Sequence, residues 1–256
     1  MSHASIVTAA MLAIGDELLS GRTKDKNIGH LADVLTLAGI DLKEVRIVAD
    51  EEDAIVEALN FVRTRYDYVF TSGGIGPTHD DITADAVSRA FGLPCIHDPE
   101  AMRLLGAMYA QRDVEFTQSR QRMARMPEGA RHIPNPVSTA PGFIIENVYV
   151  MAGVPQIFQA MLDNILPLLR TGSMMLARSI KCPFGEGDIG TPLAAIQLAH
   201  PATSIGSYPK YDGVRFSTEI VVRARDTDAL EAAANAVDKM VADIAARRPV
   251  SGTTHA

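Results

Sequence analysis

Only two cysteines, Cys95 and Cys182, occur in the 256 residues, and they stand far apart and outside any paired motif. That excludes a disulfide framework and a zinc finger, and it makes a reducing cytoplasm the expected location. No apolar run approaches the roughly 18 residues that a membrane span needs. The apolar stretch 6–14 follows no Lys or Arg and ends in Gly15-Asp16-Glu17 instead of a small-residue cleavage site. It therefore reads as a buried strand and not as a signal peptide or membrane segment. Positive charge is not in excess: the formal net charge is −7. Nucleic acid is thus not an expected partner. Repeats and low-complexity tracts are absent. The seven histidines include no close pair at metal-ligand spacing. A Gly-x-Ser-x-Gly elbow is missing, and neither cysteine has a local catalytic signature.

What is present is ordinary globular composition, 47% hydrophobic and 21% charged, in a chain long enough to bury a core without staples. Strand and helix patterns alternate. An apolar run at 6–14 leads into a Gly-Asp turn. Helical spacing follows at 27–38, with Gly39 as a C-cap. A strand is expected at 40–48, a helix at 52–65, a strand at 66–72, and a helix from about Asp80 to Phe91. Stretches 99–111 and 116–126 read as helices. Stretch 127–141 reads as a turn-rich connector, 143–151 as a hairpin around Glu146-Asn147, and the residues after Pro155 as a helix. Such units predict a mostly parallel sheet with helices on both faces. Thr171-Gly172-Ser173 is the expected boundary, giving a first domain at 1–172 and a smaller α+β domain of ferredoxin-like type at 173–256. In the second, strands at 174–180, 203–208 and 214–224 and helices at 189–199 and 227–246 follow the order β-α-β-β-α. The tail 249–256 is expected to fray.

The strongest local feature is Thr71-Ser72-Gly73-Gly74-Ile75-Gly76-Pro77-Thr78-His79-Asp80-Asp81-Ile82-Thr83. A strand runs into glycines, and a helix is expected to start with two acids. Glycines allow phosphates to approach the backbone, whose N–H groups favour an anion. Carboxylates beside phosphates require a divalent cation between them, and Mg²⁺ takes one or two carboxylates plus phosphate oxygens and water. The same residues also make a plain helix start, with Thr78 and Asp81 as a capping pair and the glycines serving only the turn. The spacing leaves both readings open. It is neither a Walker loop nor Gly-x-Gly-x-x-Gly.

Three further stretches stand out. Gly15-Asp16-Glu17-Leu18-Leu19-Ser20-Gly21 also follows a strand, and its acids either join the same pocket or form a solvated turn. Pro134 to Phe143 either shapes a pocket or connects elements. Gly153-Val154-Pro155 is good helix punctuation. The arginines Arg112, Arg120, Arg122, Arg125 and Arg131 read as a solvated helix face balancing nearby acids, ahead of a phosphate-binding role. His79 sits in the glycine loop within reach of a ligand.

The run Gly73-Gly74-Ile75-Gly76-Pro77-Thr78-x-Asp80-Asp81-x-Thr83 resembles the signature of the molybdopterin-binding (MoCF) fold. That family includes molybdopterin adenylyltransferases and the N-terminal domain of competence/damage-inducible protein A (CinA). Gly15 to Gly21, Pro127-Glu128-Gly129 through Phe143, and Gly153-Val154-Pro155 narrow the resemblance to the CinA side. The residues after Thr171, with Ser204-Ile205-Gly206-Ser207-Tyr208-Pro209, resemble the small domain that follows in CinA-type and eukaryotic FAD-synthase-type proteins. The resemblance implies a three-layer α/β/α domain that binds an adenine nucleotide or pterin by its phosphates, and a homo-oligomer, here a dimer. It implies metal-dependent pyrophosphatase activity on ADP-ribose-like nucleotides. The alternatives are AMP transfer to molybdopterin with Mg²⁺, and a binding module or scaffold without catalysis.

Carried over by position, Asp81 is the metal-binding and catalytic acid, helped by Asp80 and Glu17. Gly73, Gly74 and Gly76 are the phosphate glycines. Gly15, Glu17, Asn27, Ser72, Thr78, Thr83, Gly153 and Pro155 complete the nucleotide site. Asp16 replaces a frequent Thr, Lys26 a small residue, and Ala152 the Pro before the Gly-x-Pro turn. Full-length CinA proteins also carry a nicotinamide-nucleotide amidase domain. No such domain is expected in these residues, and no deamidase activity.

Overall fold

A computed structural model describes residues 6–213 and 216–247. The chain divides into two compact units, the first running to Gly172 and the second starting at Ser173.

The first unit opens with β1 (Val7–Ile14), the short helix α1 (Asp16–Leu19), α2 (Asn27–Leu37), β2 (Ile40–Val48), α3 (Glu52–Arg63) and β3 (Tyr68–Ser72). It continues through α4 (Thr83–Phe91), β4 (Cys95–His97), α5 (Pro99–Gln111), α6 (Gln118–Gln121), β5 (Arg125–Pro127) and β6 (Arg131–Ile133). It closes with β7 (Gly142–Ile145), β8 (Val148–Met151) and α7 (Pro155–Ile165). Six strands form one sheet in the order β2-β1-β3-β8-β7-β6. The first four run parallel, β7 pairs antiparallel with β8, and β6 pairs antiparallel with β7.

β1 lies inside this sheet and is covered on both faces, which is why its sequence is an unbroken apolar run. Its alternate residues serve two cores. Ala10, Leu12 and Ile14 pack with Ile55, Leu59 and Val62 of α3, Val87 of α4 and Leu105 of α5. Val7, Ala9 and Met11 pack with Leu31 and Leu35 of α2 and Phe158, Met161 and Leu162 of α7. The result is the expected three-layer α/β/α sandwich.

The second unit holds β9 (Leu176–Cys182), α8 (Glu186–Ala199), β10 (Thr203–Tyr211), β11 (Phe216–Ala224) and α9 (Thr227–Arg247). Its sheet has the order β10-β11-β9 and is antiparallel throughout. Thr218, Ile220, Val222 and Ala224 alternate into a core shared with Leu230, Ala233 and Val237. Phe216, which the alternation puts in step with these residues, is exposed and stacks on Tyr211 with ring centroids 4.6 Å apart. Val214, expected in that strand, and the tail 249–256 lie outside the described residues.

Two expected helices differ. The helix expected from Asp80 starts at Thr83. Asp80 and Asp81 sit in the loop before it, because the Asp81 carboxylate is already taken by Thr78 N and Oγ1, at 2.8 and 2.6 Å. The helix expected at 116–126 is α6 followed by a single 3-10 turn at Arg122–Ala124. From Arg125 the chain is extended, because β5 pairs with β4, Ile96 facing Met126. The connector at 127–141 contains the short strand β6.

Candidate functional site

β1, β3 and β8 are sheet neighbours, so the turns that leave their carboxyl ends lie side by side. This is where α/β sheets hold ligands. A cleft of about 540 Å³ opens there, lined by Gly15, Glu17, Asp50, Gly73, Gly74, Gly76, Asp80, Asp81, Gly153 and Pro155. Asn135 and Ser138, from the loop before β7, close another side.

The turns fit because three positions have no side chain. Gly73 has φ +106°, and a Cβ built on it overlaps the carbonyl oxygen of Ile14 at the end of β1. Gly74 has φ +67°, and its Cβ position falls on the Thr83 side chain. A Cβ at Gly153 stands 3.2 Å from Gly73 Cα. Side chains then lock the turns. Thr83, fully buried, donates from Oγ1 to Gly73 O at 3.0 Å, and its N–H donates to Gly74 O at 3.0 Å. Asn27 donates from Nδ2 to Ser72 Oγ and to Gly153 O, each at 2.8 Å. Arg122 donates from Nε to Thr78 O and from Nη2 to Asp81 O, each at 3.0 Å. Asn135 folds its own loop by accepting from Val137 N and Ser138 N and donating to Ala140 O.

The mouth of the cleft is acidic. Glu17 turns its carboxylate back over Gly15, and Asp81 covers Gly76, the Oδ2 lying 2.6 Å from a Cβ built there. Asp16 and Asp50 brace each other, Asp16 N donating to Asp50 Oδ2 at 2.9 Å and Asp50 N to Asp16 Oδ1 at 3.3 Å. Burial pushes the Asp50 carboxyl above its ordinary range, and the charges of Asp16, Glu17 and Asp80 push it the same way. The nearby Thr78 side chain and the N–H of Asp80 itself hold the Asp80 carboxyl below the usual range, with His79 and Arg122 contributing.

Among the described residues no group of three or more His, Cys, Asp or Glu is arranged to hold a metal alone. Asp50 nonetheless feels the charges of Asp16, Glu17 and Asp80, and it lines the same cleft as the glycine turn. A cation bound by one or two carboxylates, with ligand phosphate oxygens and water completing its shell, fits this donor set.

The sequence-predicted residues fall into two groups. Gly15, Glu17, Gly73, Gly74, Gly76, Asp80, Asp81, Gly153 and Pro155 line the cleft. Asn27, Ser72 and Thr83 are buried beneath it, and Thr78 acts on Asp81. His79 points to solvent, its side chain 99% exposed. The arginines do not share one helix face. Arg125 forms a two-pronged pair with Asp85, Arg120 lies over the Tyr109 ring, and Arg122 grips the glycine loop. Sequence reasoning missed Asp50, whose signal is its place just after β2. In the second unit, Gly185-Glu186-Gly187-Asp188-Ile189-Gly190 has dinucleotide-fingerprint spacing, with Gly185 capping α8 and the rest inside it. Its acids occupy the first turn of α8, where they oppose an anion, and Ser207 Oγ donates to Glu186 at 2.5 Å.

Residues 10–171 match the family described as probable molybdopterin binding domain, and residues 174–248 match the middle domain of FAD synthase. The chain belongs to the molybdopterin-binding domain family, among its CinA-type members. A CinA-like protein of Desulfosudis oleivorans is 35% identical over 209 residues, covering 77% of this chain and 51% of that protein. A protein of Caldivirga maquilingensis is 42% identical over 166 residues, 63% of this chain and 65% of its own length. These matches thus span less than two thirds of either relative. Among solved structures, the CinA protein of unknown function from Thermoplasma acidophilum superposes with a TM-score of 0.59 at 33% identity. It covers 62% of this chain and 96% of its own. No helix among the described residues is long and apolar enough to cross a membrane.

Proposed function

We propose that this CinA-type protein binds a nucleotide by its phosphates on the Gly73-Gly74-Ile75-Gly76 turn and hydrolyses the phosphoric anhydride of ADP-ribose-like molecules. The observation that carries this reading is the joining of a glycine turn, open to close backbone approach, with Asp80, Asp81 and Glu17 in the lining of one cleft. Amides favour the phosphates, and the carboxylates oppose them unless a cation intervenes. That combination is the signature of metal-assisted phosphate chemistry rather than of simple anion storage.

Asp81, with Asp80 or Glu17 beside it, would hold a divalent cation together with ligand phosphate oxygens and water, Mg²⁺ by preference. When bound, it polarises phosphoryl oxygens and lowers the pKa of an attacking water. The chain's own residues do the rest. Thr78 orients the Asp81 carboxylate through two hydrogen bonds. Arg122 fixes the main chain on either side of Asp80. The glycine-turn amides stabilise charge that develops on the phosphoryl oxygens. Water adds to one phosphorus, the bridging P–O bond breaks, and ADP-ribose yields AMP and ribose 5-phosphate. Transfer of AMP to a molybdopterin phosphate would use the same turn with a different acceptor, and the family's description favours it as the second reading.

The test is incubation of the purified chain with ADP-ribose and Mg²⁺, Mn²⁺ or Co²⁺. AMP release is expected. Intact ADP-ribose, where a control hydrolase works, overturns the hydrolase reading. Adenylylation of added molybdopterin by ATP would then select the transferase. Sedimentation of the same sample tests the homodimer that the reading carries with it.

A further inference from the structure

Beside the main cleft lies a recess of about 50 Å³ that the reaction above does not use. Its floor is polar and incomplete. Asn27 is 3% exposed. Both protons of its Nδ2 are engaged, on Ser72 Oγ and on Gly153 O. Its Oδ1 is buried with no hydrogen-bond partner among the described residues. Buried acceptors are almost always satisfied in folded proteins, so this one calls for a donor. Ser72, 4% exposed, accepts from Asn27 and so has its own hydroxyl proton left to give.

The recess is placed to receive part of a ligand seated next door. It shares Glu17, Thr23, Gly153 and Pro155 with the cleft, and Ser72 directly precedes Gly73 of the phosphate turn. Its volume exceeds the roughly 10–15 Å³ that a single water needs. A hydroxyl and the carbon that bears it fit. The chemistry of the floor selects further. The group must donate to Asn27 Oδ1 and accept from Ser72 Oγ. A phosphate oxygen only accepts and a C–H group does neither, whereas an alcohol does both. Ile14, Leu18 and Pro155 supply an apolar wall suited to sugar carbons.

We propose that this recess is the subsite for a ribose hydroxyl of the bound nucleotide, and that Asn27 and Ser72 set a preference for ribo- over deoxyribonucleotides. The inference rests on the phosphate reading of the neighbouring turn. Asn27 is thereby both a latch between two loops and a specificity determinant.

Calorimetric titration of the full chain with ADP, 2′-deoxy-ADP and 3′-deoxy-ADP, in the presence of Mg²⁺, tests it. Wild type is expected to bind ADP on the order of tenfold or more tightly than at least one deoxy analogue, the range for losing a hydrogen bond to a buried group. In Asn27→Ala the ratio falls to about one, whatever happens to the affinities themselves. A purely structural role for Asn27 would weaken all three ligands alike and leave the ratio standing. Ser72→Ala repeats the ratio test if Asn27→Ala does not fold. Equal affinity of wild type for all three nucleotides means that the recess holds water only, and overturns the subsite while the phosphate reading stands. A ratio unchanged in the variants also overturns it. No binding of any nucleotide removes the phosphate reading and the subsite together.

Discussion

Gly73 lies directly against the main chain of Ile14. A Cβ built on Gly73 overlaps the Ile14 carbonyl oxygen and stands 3.3 Å from its carbon. The ends of β1 and β3 are therefore close-packed backbone to backbone, and the phosphate turn starts from that contact. Gly73→Ala has to move a sheet strand as well as accept a left-handed φ of +106°. It is expected to cost about 2 kcal/mol or more. Gly29, in the exposed part of α2, has nothing within 4 Å of its Cβ position. Gly29→Ala is expected to gain about 0.5–1 kcal/mol. Thermal unfolding of the two variants side by side checks the pair, and equal midpoints would contradict the account.

Asp50 carries a stability cost that pH reveals. Burial and the neighbouring Asp16, Glu17 and Asp80 raise its folded-state pKa above the ordinary value of 3.8. The folded protein therefore holds this proton more tightly than the unfolded chain does. Stability is fully present below the unfolded value and is lost as pH rises through the raised one. Asp50→Asn keeps an oxygen for the N–H of Asp16 and removes the charge. The variant is expected to melt higher than wild type at pH 7, with the difference vanishing below about pH 3.8, the ordinary value. A variant less stable at pH 7 would contradict this. The cost is of the kind that active sites carry to hold ligand-binding charge in place.

Arg122 is expected to matter to turnover more than to folding. Its fork spans Thr78 O and Asp81 O, so it fixes the stretch that presents Asp80 and Asp81. Lysine offers a point charge and not a planar fork. Arg122→Lys is expected to lower kcat/KM about tenfold or more by loosening the carboxylates, the kind of loss that small misplacements cause. The thermal midpoint is expected to shift little, since the side chain is only partly buried. A fall in stability with unchanged kcat/KM would reverse that assignment.

The elements that build the cleft were legible because local signals and tertiary packing agree there. β1 is a mostly apolar run and β3 an aromatic and β-branched one, each stopped by glycine, as suits strands buried inside a sheet. α5 spans the expected 99–111 because Pro99 opens it and the Asp98 side chain accepts from Ala101 N. What stayed hidden depends on distant partners. Acids before Thr83 read as a first helical turn until Thr78 is seen to occupy Asp81. β4 and β5 have three residues each and exist only through pairing about 30 positions apart. Arg122 looked like surface charge because both its acceptors are main-chain carbonyls more than 40 residues away, which no side-chain pattern encodes.

In the proposed reaction Asp81 brings a metal ion to a phosphoric anhydride. The direct measurement is AMP release from ADP-ribose with Mg²⁺, comparing wild type, wild type with chelator, and Asp81→Asn. The asparagine keeps the carbonyl oxygen that Thr78 binds, so the loop is preserved and the charge is removed. Turnover by wild type, abolished by chelator and reduced at least a hundredfold or so in Asp81→Asn, is the expected result, in line with losing a main electrostatic contribution to the reaction. Equal turnover in Asp81→Asn, or turnover that survives the chelator, would contradict it.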